Sequence, residues 1–161
     1  MSWLQSHLEA NYTTASILVI DSSRKKLSKV IEERNLSIGL PDEWQSWEIY
    51  VDIVGFIQKP NVTHLAFVEC KNTSITLSHI SQLLGYSRVA IPHNSFIISP
   101  QGLSGALKSL FISFQRTDVL DYHYPEGKLP LSIVAAKWNQ HSNCIDSDSI
   151  ITGDRNRIGI L

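Results

Sequence analysis

The sequence is poor in cysteine and has no long apolar run. Cys70 and Cys144 are its only cysteines, too few for a disulfide framework in a chain of 161 residues. No apolar run approaches the ~20 residues that a membrane-spanning helix needs, and no basic segment followed by an uninterrupted apolar stretch opens the sequence. A disulfide-rich secreted domain and a membrane protein are therefore not expected, and we predict a cytoplasmic, intracellular protein.

An excess of charge of either sign is also missing. Lysine and arginine number 14, aspartate and glutamate number 15, and the formal net charge is -1. The chain therefore lacks the overall basic field that nucleic-acid binders usually carry. Apolar residues make up 43% and charged residues 18%, a balance typical of globular proteins and not of disordered ones. The length suits one domain with a real core, so we predict a single domain over residues 1–161.

Two apolar segments, 47–58 and 63–71, are rich in β-branched and aromatic residues and are joined by the turn-prone Lys59-Pro60-Asn61. We predict an antiparallel hairpin whose turn is centred between Pro60 and Asn61. This register places Asp52 opposite Glu69, whereas a slip of one residue would send Asp52 to the other face. Both segments are apolar on two sides, which is typical of central strands with helices on both faces of the sheet.

The charged residues of these apolar strands include Asp52, Glu69 and Lys71. Glu69 and Lys71 are two positions apart and so share a face. Two carboxylates with Cβ atoms ~5 Å apart repel each other unless a cation lies between them or one is protonated. Mg²⁺ is held by one or two carboxylates and keeps positions for water and phosphate. The spacing predicts a Mg²⁺ site; the alternative is an ordinary ion-paired strand end.

These residues resemble a known signature. Asp52, a gap of sixteen residues and then Glu69-Cys70-Lys71 resemble the metal-binding motif of the PD-(D/E)XK nuclease superfamily, although Val51 stands where proline is typical. Gln82 and Tyr86 resemble the Q-x-x-x-Y element of the RecB-like and exonuclease branches. The resemblance covers roughly residues 45–100. It implies an α/β fold with a restriction-endonuclease-like core at about 24–122, a central mixed β-sheet flanked by helices on both faces, and a C-terminal extension at 123–161.

The resemblance implies a metal-dependent DNA endonuclease that hydrolyses phosphodiester bonds, of the restriction, homing or resolvase kind. Asp52 and Glu69 would hold Mg²⁺, or Mn²⁺ as its substitute, Lys71 would assist the attacking water, and Gln82 would support the site. Cutting both strands of DNA needs two active sites, so a homodimer or larger homo-oligomer is expected. The alternatives are a non-catalytic nucleic-acid-binding or assembly subunit with the same fold, and an unrelated α/β protein in which Asp52 and Glu69 point to opposite faces.

Further candidates lie around this motif. Because some branches of the family add a carboxylate from the preceding helix, Glu33 is a candidate metal ligand; Glu48 is another, since it shares strand parity with Asp52. His79, Gln82 and Tyr86 share one polar face of the helix that ends at about Ala90. A phosphate-binding cluster, which is alternatively a solvated helix face, is formed by Arg24, Lys25, Lys26 and Lys29.

The remaining elements follow from local patterns. We predict helices at 2–10 and 24–35 and strands at 15–20, 94–98 and 118–122. Ser99-Pro100 is expected to start a helix whose buried stripe runs from Leu103 to Phe114. Residues 131–140 suit a helix or a strand, and 149–161 suit a hairpin. Within the extension, a role in DNA contact or in a dimer interface is open to Lys137, Trp138, His141, Arg155 and Arg157.

Overall fold

The computed structural model describes residues 1–153, which form an α/β fold around one mixed sheet. Its helices are α1 (Ser2–Asn11), α2 (Leu27–Arg34), α3 (Leu77–Ala90) and α4 (Gly105–Lys108), with a π-helical turn at Ser109–Ser113 and 3₁₀ turns at Asp42–Ser46, Thr117–Leu120 and Ser147–Ser149. Its strands are β1 (Ser16–Asp21), β2 (Ile53–Lys59), β3 (Val62–Cys70), β4 (Asn94–Ser99), β5 (Asp121–His123), β6 (Leu131–Asn139), β7 (Cys144–Ile145) and β8 (Ile151–Thr152).

The sheet has an antiparallel half and a parallel half. Its strand order is β1-β2-β3-β4-β6-β5, and β7 and β8 also pair with β6. The strands β1, β2 and β3 are mutually antiparallel, whereas β3, β4 and β6 run parallel. The predicted mixed α/β sheet is therefore confirmed. The sheet includes β1 and β6, which lie before and after the predicted core at 24–122 in the sequence. The segment 131–140, which suits a helix or a strand, forms strand β6.

The hairpin register is the one predicted. Lys59 pairs with Val62 across a two-residue turn at Pro60-Asn61, and Ile53 pairs with Val68 at the other end. The prediction was wrong about where the paired strand begins, because the ladder starts at Ile53 and residues 47–52 take other partners. Their carbonyl groups accept hydrogen bonds from the connection between β1 and α2: the Ser22 N–H donates to Asp52 O at 2.9 Å, and the Leu27 N–H donates to Ile49 O at 2.8 Å.

Two separate apolar clusters fill the two faces of the sheet. On one face α2, α3 and α4 cover the larger cluster, which contains Ile31, Ile80, Leu107, Val54, Phe67, Ile97 and Ile133. On the other face α1 covers the smaller cluster, in which Leu4 and Leu8 pack with Ala66, Val68, Phe96 and Val134. The absence of a side chain at Gly55 lets α1 approach closely, since a β-carbon there would lie 2.7 Å from Leu8 Cδ1. Helices on both faces are confirmed.

The helix after β4 begins later than its sequence pattern suggests. Ser104, not Ser99, is its N-cap and accepts a hydrogen bond from the Leu107 N–H. Ser99 instead donates its hydroxyl to Thr73 O at 2.8 Å. The α-helical part ends at Lys108 and continues as the π-helical turn, whose different residue spacing shifts the apolar stripe. Phe111 is accordingly buried, but Phe114 is 71% exposed.

The last strands fold back onto β6. Residues 117–120 form a 3₁₀ turn, so the strand predicted at 118–122 begins only at Asp121. β8 pairs antiparallel with β6, and most of the hairpin predicted at 149–161, including Arg155 and Arg157, lies outside the described residues. Within residues 1–153, no helix is both long enough and apolar enough to cross a membrane.

Candidate active site

The candidate site lies where the parallel strands end. Glu69 is the penultimate residue of β3, Lys71 follows the strand, and Asp52 immediately precedes β2. Because β2 is antiparallel to β3, the start of β2 meets the end of β3 at the same edge of the sheet. We call this the carboxyl edge. In open α/β sheets, this edge is where ligands generally bind.

Asp52 is fixed beside Glu69 by the backbone. Its Oδ2 accepts a hydrogen bond from the Cys70 N–H at 2.7 Å, and its carbonyl accepts the Ser22 N–H. The register of the hairpin carries Asp52 to the position opposite Glu69, on the face covered by α2, α3 and α4. The structure therefore brings Asp52, Glu69 and Lys71 together, and the two carboxylates do not point to opposite faces.

Glu69 is the buried member of the trio. The residue is only 4% exposed, and its Oε1 accepts a hydrogen bond from Lys71 Nζ at 2.6 Å. Its second oxygen, Oε2, is buried and has no hydrogen-bond partner among residues 1–153. A buried acceptor without a partner is costly, and a buried charge more so. A cation between this oxygen and the neighbouring Asp52 would remove that cost.

The local electrostatics indicate an excess of negative charge. Burial raises the pKa of Glu69 above its ordinary value; the Lys71 ammonium opposes this shift, and the charge of Asp52 adds to it. Partial burial, together with the charges of Asp52 and Glu69, raises the pKa of the Cys70 thiol to about 11. This thiol therefore stays protonated at neutral pH and is a poor nucleophile. Covalent catalysis by Cys70 is therefore not favoured at this site.

The residues present fit a hard divalent cation better than zinc. Within the described part of the chain, no three or more His, Cys, Asp or Glu side chains are grouped so that they could hold a metal. Structural zinc needs about four such ligands, whereas Mg²⁺ is commonly held by one or two carboxylates with water and phosphate completing its shell. Asp52 and Glu69 Oε2 are two suitable oxygen donors, and Mn²⁺ accepts the same ligands.

The polar face of α3 lies near this trio only at the start of the helix. His79 Nδ1 accepts the Thr76 N–H at 3.2 Å and so caps the helix. Burial lowers the pKa of His79, and the charge of Lys71 lowers it further. Gln82 is exposed, and its Nε2 lies 3.4 Å from the Tyr86 hydroxyl. That is the one side-chain hydrogen bond found for Gln82 and Tyr86 within residues 1–153, so no side-chain bond joins them to the trio.

Glu33 and Glu48 are engaged elsewhere. Both are exposed: Glu33 forms an ion pair with Lys25, and Glu48 with Lys26 at 2.7 Å. The charged groups that act on Glu69 are Asp52 and Lys71, and neither additional glutamate is among them. In the structure, Glu33 and Glu48 are therefore paired with surface lysines and are not grouped with Glu69.

Three of the four cations in the predicted phosphate-binding cluster are likewise ion-paired. Lys25 and Lys26 pair as described, and Lys29 pairs with Glu32 at 2.7 Å, whereas Arg24 has no ion pair within residues 1–153. Such exposed pairs are individually weak, so they do not prevent these lysines from binding phosphate. Their role in nucleic-acid binding stays a prediction.

A large open groove lies at the opposite edge of the sheet. Its volume is about 1200 Å³, and it takes in the starts of β3 and β4 at Thr63 and Asn94. Four of the six histidines line it, and two of them, His64 and His93, stack with ring centroids 3.6 Å apart. None of the residues of the Asp52 site belongs to this groove, so it is separate from the candidate site.

Ser99 lies at the carboxyl edge, although the sequence pattern predicts it to be a helix N-cap. It ends β4 beside Lys71 and pairs with Lys137 on β6. The available signal was a serine two positions beyond the buried Ile97, but only the strand order reveals its neighbours.

No protein-family model, curated protein or solved structure matches this chain. Any functional assignment therefore depends on the geometry of the site.

Proposed function

We propose that this chain is a Mg²⁺-dependent deoxyribonuclease with a restriction-endonuclease-like core, which hydrolyses phosphodiester bonds of DNA. The observation that carries the proposal is the buried Oε2 of Glu69, which lacks a hydrogen-bond partner within residues 1–153 and lies beside a second carboxylate. Lys71, bonded to the other oxygen of Glu69, supplies a cation at the same place. Two carboxylates and a lysine at the carboxyl edge suit an anionic substrate that arrives with a divalent metal.

Each residue has a distinct task in this mechanism. Asp52 and Glu69 would hold the metal, and the Cys70 N–H, which donates to Asp52 Oδ2, fixes the orientation of Asp52. When bound, Mg²⁺ polarises the phosphate and lowers the pKa of a water molecule. Lys71 is held by Glu69 Oε1 yet keeps 21% of its side chain exposed, so its ammonium can reach both water and the scissile phosphate. There it positions the attacking water and neutralises the charge that develops on the phosphate.

The test is cleavage of supercoiled, linear and branched DNA by the purified chain in MgCl₂ and in EDTA. Asp52→Asn and Lys71→Met should each lose roughly 100-fold or more of the rate, the usual cost of removing one group that stabilises the transition state. The matched control is Asp42→Asn, because Asp42 is exposed and lies in a 3₁₀ turn outside the site. If both site variants cut as fast as the wild type, the assignment is wrong.

The products of the same experiment decide between related activities. Discrete bands from plasmid indicate an endonuclease, whereas progressive loss from the ends of linear DNA indicates an exonuclease. DNA binding without cleavage by the wild type would favour the non-catalytic subunit. We also propose that the active form is a homodimer, because one chain contributes one pair of metal ligands and a duplex has two strands. Sedimentation at the protein concentration used for cleavage tests this.

A further inference from the structure

Lys71 shares the carboxyl edge with a second lysine. The registers of the parallel strands align Cys70 with Ile98 and Ile98 with Ala136. One residue further on, Ser99 pairs with Lys137, and the Lys71 N–H donates to Ile98 O at 2.8 Å, which continues the parallel ladder. Lys71, Ser99 and Lys137 therefore form one row across β3, β4 and β6.

The row places both lysines on the face that carries Glu69. Residues aligned across neighbouring strands project to the same face, and Glu69 precedes Lys71 by two positions. Two strand spacings of ~4.8 Å put the Cα atoms of Lys71 and Lys137 about 10 Å apart. At this separation, the long side chains of Lys71 and Lys137 can contact neighbouring groups of one bound polymer.

The surface between the two lysines is uncharged and well braced. It consists of the loops 72–74 and 100–102, which contain no Asp, Glu, Lys or Arg. The Gln101 side chain donates to Asn72 O at 3.0 Å, and the Ile75 N–H donates to Gly102 O at 2.8 Å. Gly102 lies against Lys137, since a β-carbon there would be 3.7 Å from Lys137 Cβ. The Lys137 side chain thus begins over the loop that leads towards Lys71.

Lys137 has no partner for its charge within residues 1–153. It is exposed and belongs to none of the ion pairs of this part of the chain, in contrast to Lys71, which is paired with Glu69. The nearest acid along its backbone contacts is Asp146, whose N–H donates to Lys137 O. The Asp146 carboxylate accepts the Asp148 N–H at 3.2 Å instead. The ammonium of Lys137 is therefore available to a ligand.

We propose that Lys137 binds a second phosphate of the substrate strand, next to the phosphate that Lys71 contacts. This rests on the proposed function and specifies its substrate class: a strand with at least two consecutive phosphates, not a lone phosphodiester. Lys137 is a substrate-binding residue here, and it is too far along the row to touch the reacting atoms at the carboxylates. Its loss should weaken binding and leave the chemical step intact.

The test compares Lys137→Met, Lys137→Arg and Lys128→Met. Lys128 is an exposed lysine of the groove at the opposite edge and serves as the matched control. Binding of a labelled DNA duplex is measured in CaCl₂ over a series of salt concentrations, and cleavage kinetics are measured in MgCl₂. Each phosphate contact contributes about 0.9 to the slope of log affinity against log salt. We expect the slope for Lys137→Met to be smaller than that of the wild type by about 0.9. We also expect this variant to have a higher KM, with a kcat within about twofold of the wild-type value.

We expect Lys137→Arg to keep the wild-type slope, because arginine retains the charge, and Lys128→Met to match the wild type. If Lys137→Met retains the full slope and KM while the wild type binds and cleaves DNA, the inference is overturned and the proposed function stands. If the wild type neither binds nor cleaves DNA, the proposed function fails, and the role of Lys137 fails with it. The exposed position of Lys137 means that the variants should fold, which thermal melting verifies.

Discussion

At the scale of single residues, Glu69 carries a cost that the metal-free chain does not offset. Burial raises its pKa in the folded state, and Asp52 adds repulsion. A carboxyl group with a raised folded pKa contributes stability below its unfolded pKa and loses it as the pH rises through the folded pKa. At neutral pH the buried carboxyl group of Glu69 therefore lowers the free energy of unfolding.

Glu69→Gln should raise the free energy of unfolding at pH 7 in EDTA by about 1 kcal/mol, because a neutral amide costs less to bury than a carboxylate and does not repel Asp52. The difference in free energy of unfolding between Glu69→Gln and the wild type should be smaller at about pH 4, because the wild-type carboxyl is then protonated and is also uncharged. Urea unfolding at the two pH values measures this. Glu126→Gln, at an exposed glutamate, is the control and should change stability little at either pH.

Magnesium provides the opposite comparison. A ligand that binds the folded state alone stabilises it according to its concentration relative to Kd. Added MgCl₂ should therefore raise the melting temperature of the wild type more than that of Glu69→Gln. A Glu69→Gln variant that is less stable than wild type at pH 7 in EDTA would contradict this account of Glu69.

At the scale of elements, α3 depends on His79 for its first turn. The His79 Nδ1 atom accepts the N–H of Thr76, the N-cap residue, and so must be unprotonated. His79→Ala should cost about 1 kcal/mol, the usual effect of a lost cap, whereas His79→Gln keeps an acceptor at the same position and should cost little. Urea unfolding at pH 7.5 or so measures both.

The pH dependence of this cap has a definite sign. Burial and Lys71 lower the pKa of His79 from 6.5, so the unfolded chain takes up the proton first. The cap therefore contributes to stability above pH 6.5, the ordinary pKa of histidine. This contribution is lost as the pH falls through the lowered pKa of the folded state. The stability difference between wild type and His79→Ala should therefore narrow towards pH 5. A cleavage rate in His79→Gln far below that of wild type would show that His79 does more than cap α3.

The hairpin could be predicted from sequence because its determinants are local. A proline and an asparagine between two β-branched segments fix the turn, and alternation then fixes which side chains share a face. The start of the ladder could not be predicted, since the alternation continues into 47–51 although the partners there are Ser22 and Leu27. Apolar spacing likewise gave the buried Phe111 but not the π-helical turn that leaves Phe114 exposed.

At the scale of the whole molecule, the candidate site spans the junction between the two halves of the sheet. Asp52 precedes β2 in the antiparallel half and Lys137 lies on β6 in the parallel half. Glu69 lies on β3, which both halves share, and Lys71 directly follows it. Asp52, Glu69 and Lys71, which lie in or next to β2 and β3, could be grouped from sequence. Lys137 could not be placed beside them, because its position depends on β4 lying between β3 and β6, a long-range arrangement that no local pattern encodes.

The two-residue turn at Pro60-Asn61 also has a kinetic consequence. Closing this hairpin is a local event, whereas docking β4 and β6 joins distant segments and is slower. We therefore expect Asp52 and Glu69 to come together early in folding, before the parallel half forms. Their repulsion should be part of the folding barrier, and Mg²⁺ should lower that barrier.

We expect Asp52→Asn to refold faster than wild type in EDTA with a nearly unchanged unfolding rate, since Asn retains an acceptor for the Cys70 N–H. With MgCl₂ in the refolding buffer, the wild type should close most of the gap. Stopped-flow chevron plots with and without the metal measure both effects. A change confined to the unfolding rate would instead mean that the two carboxylates meet only after the barrier has been crossed.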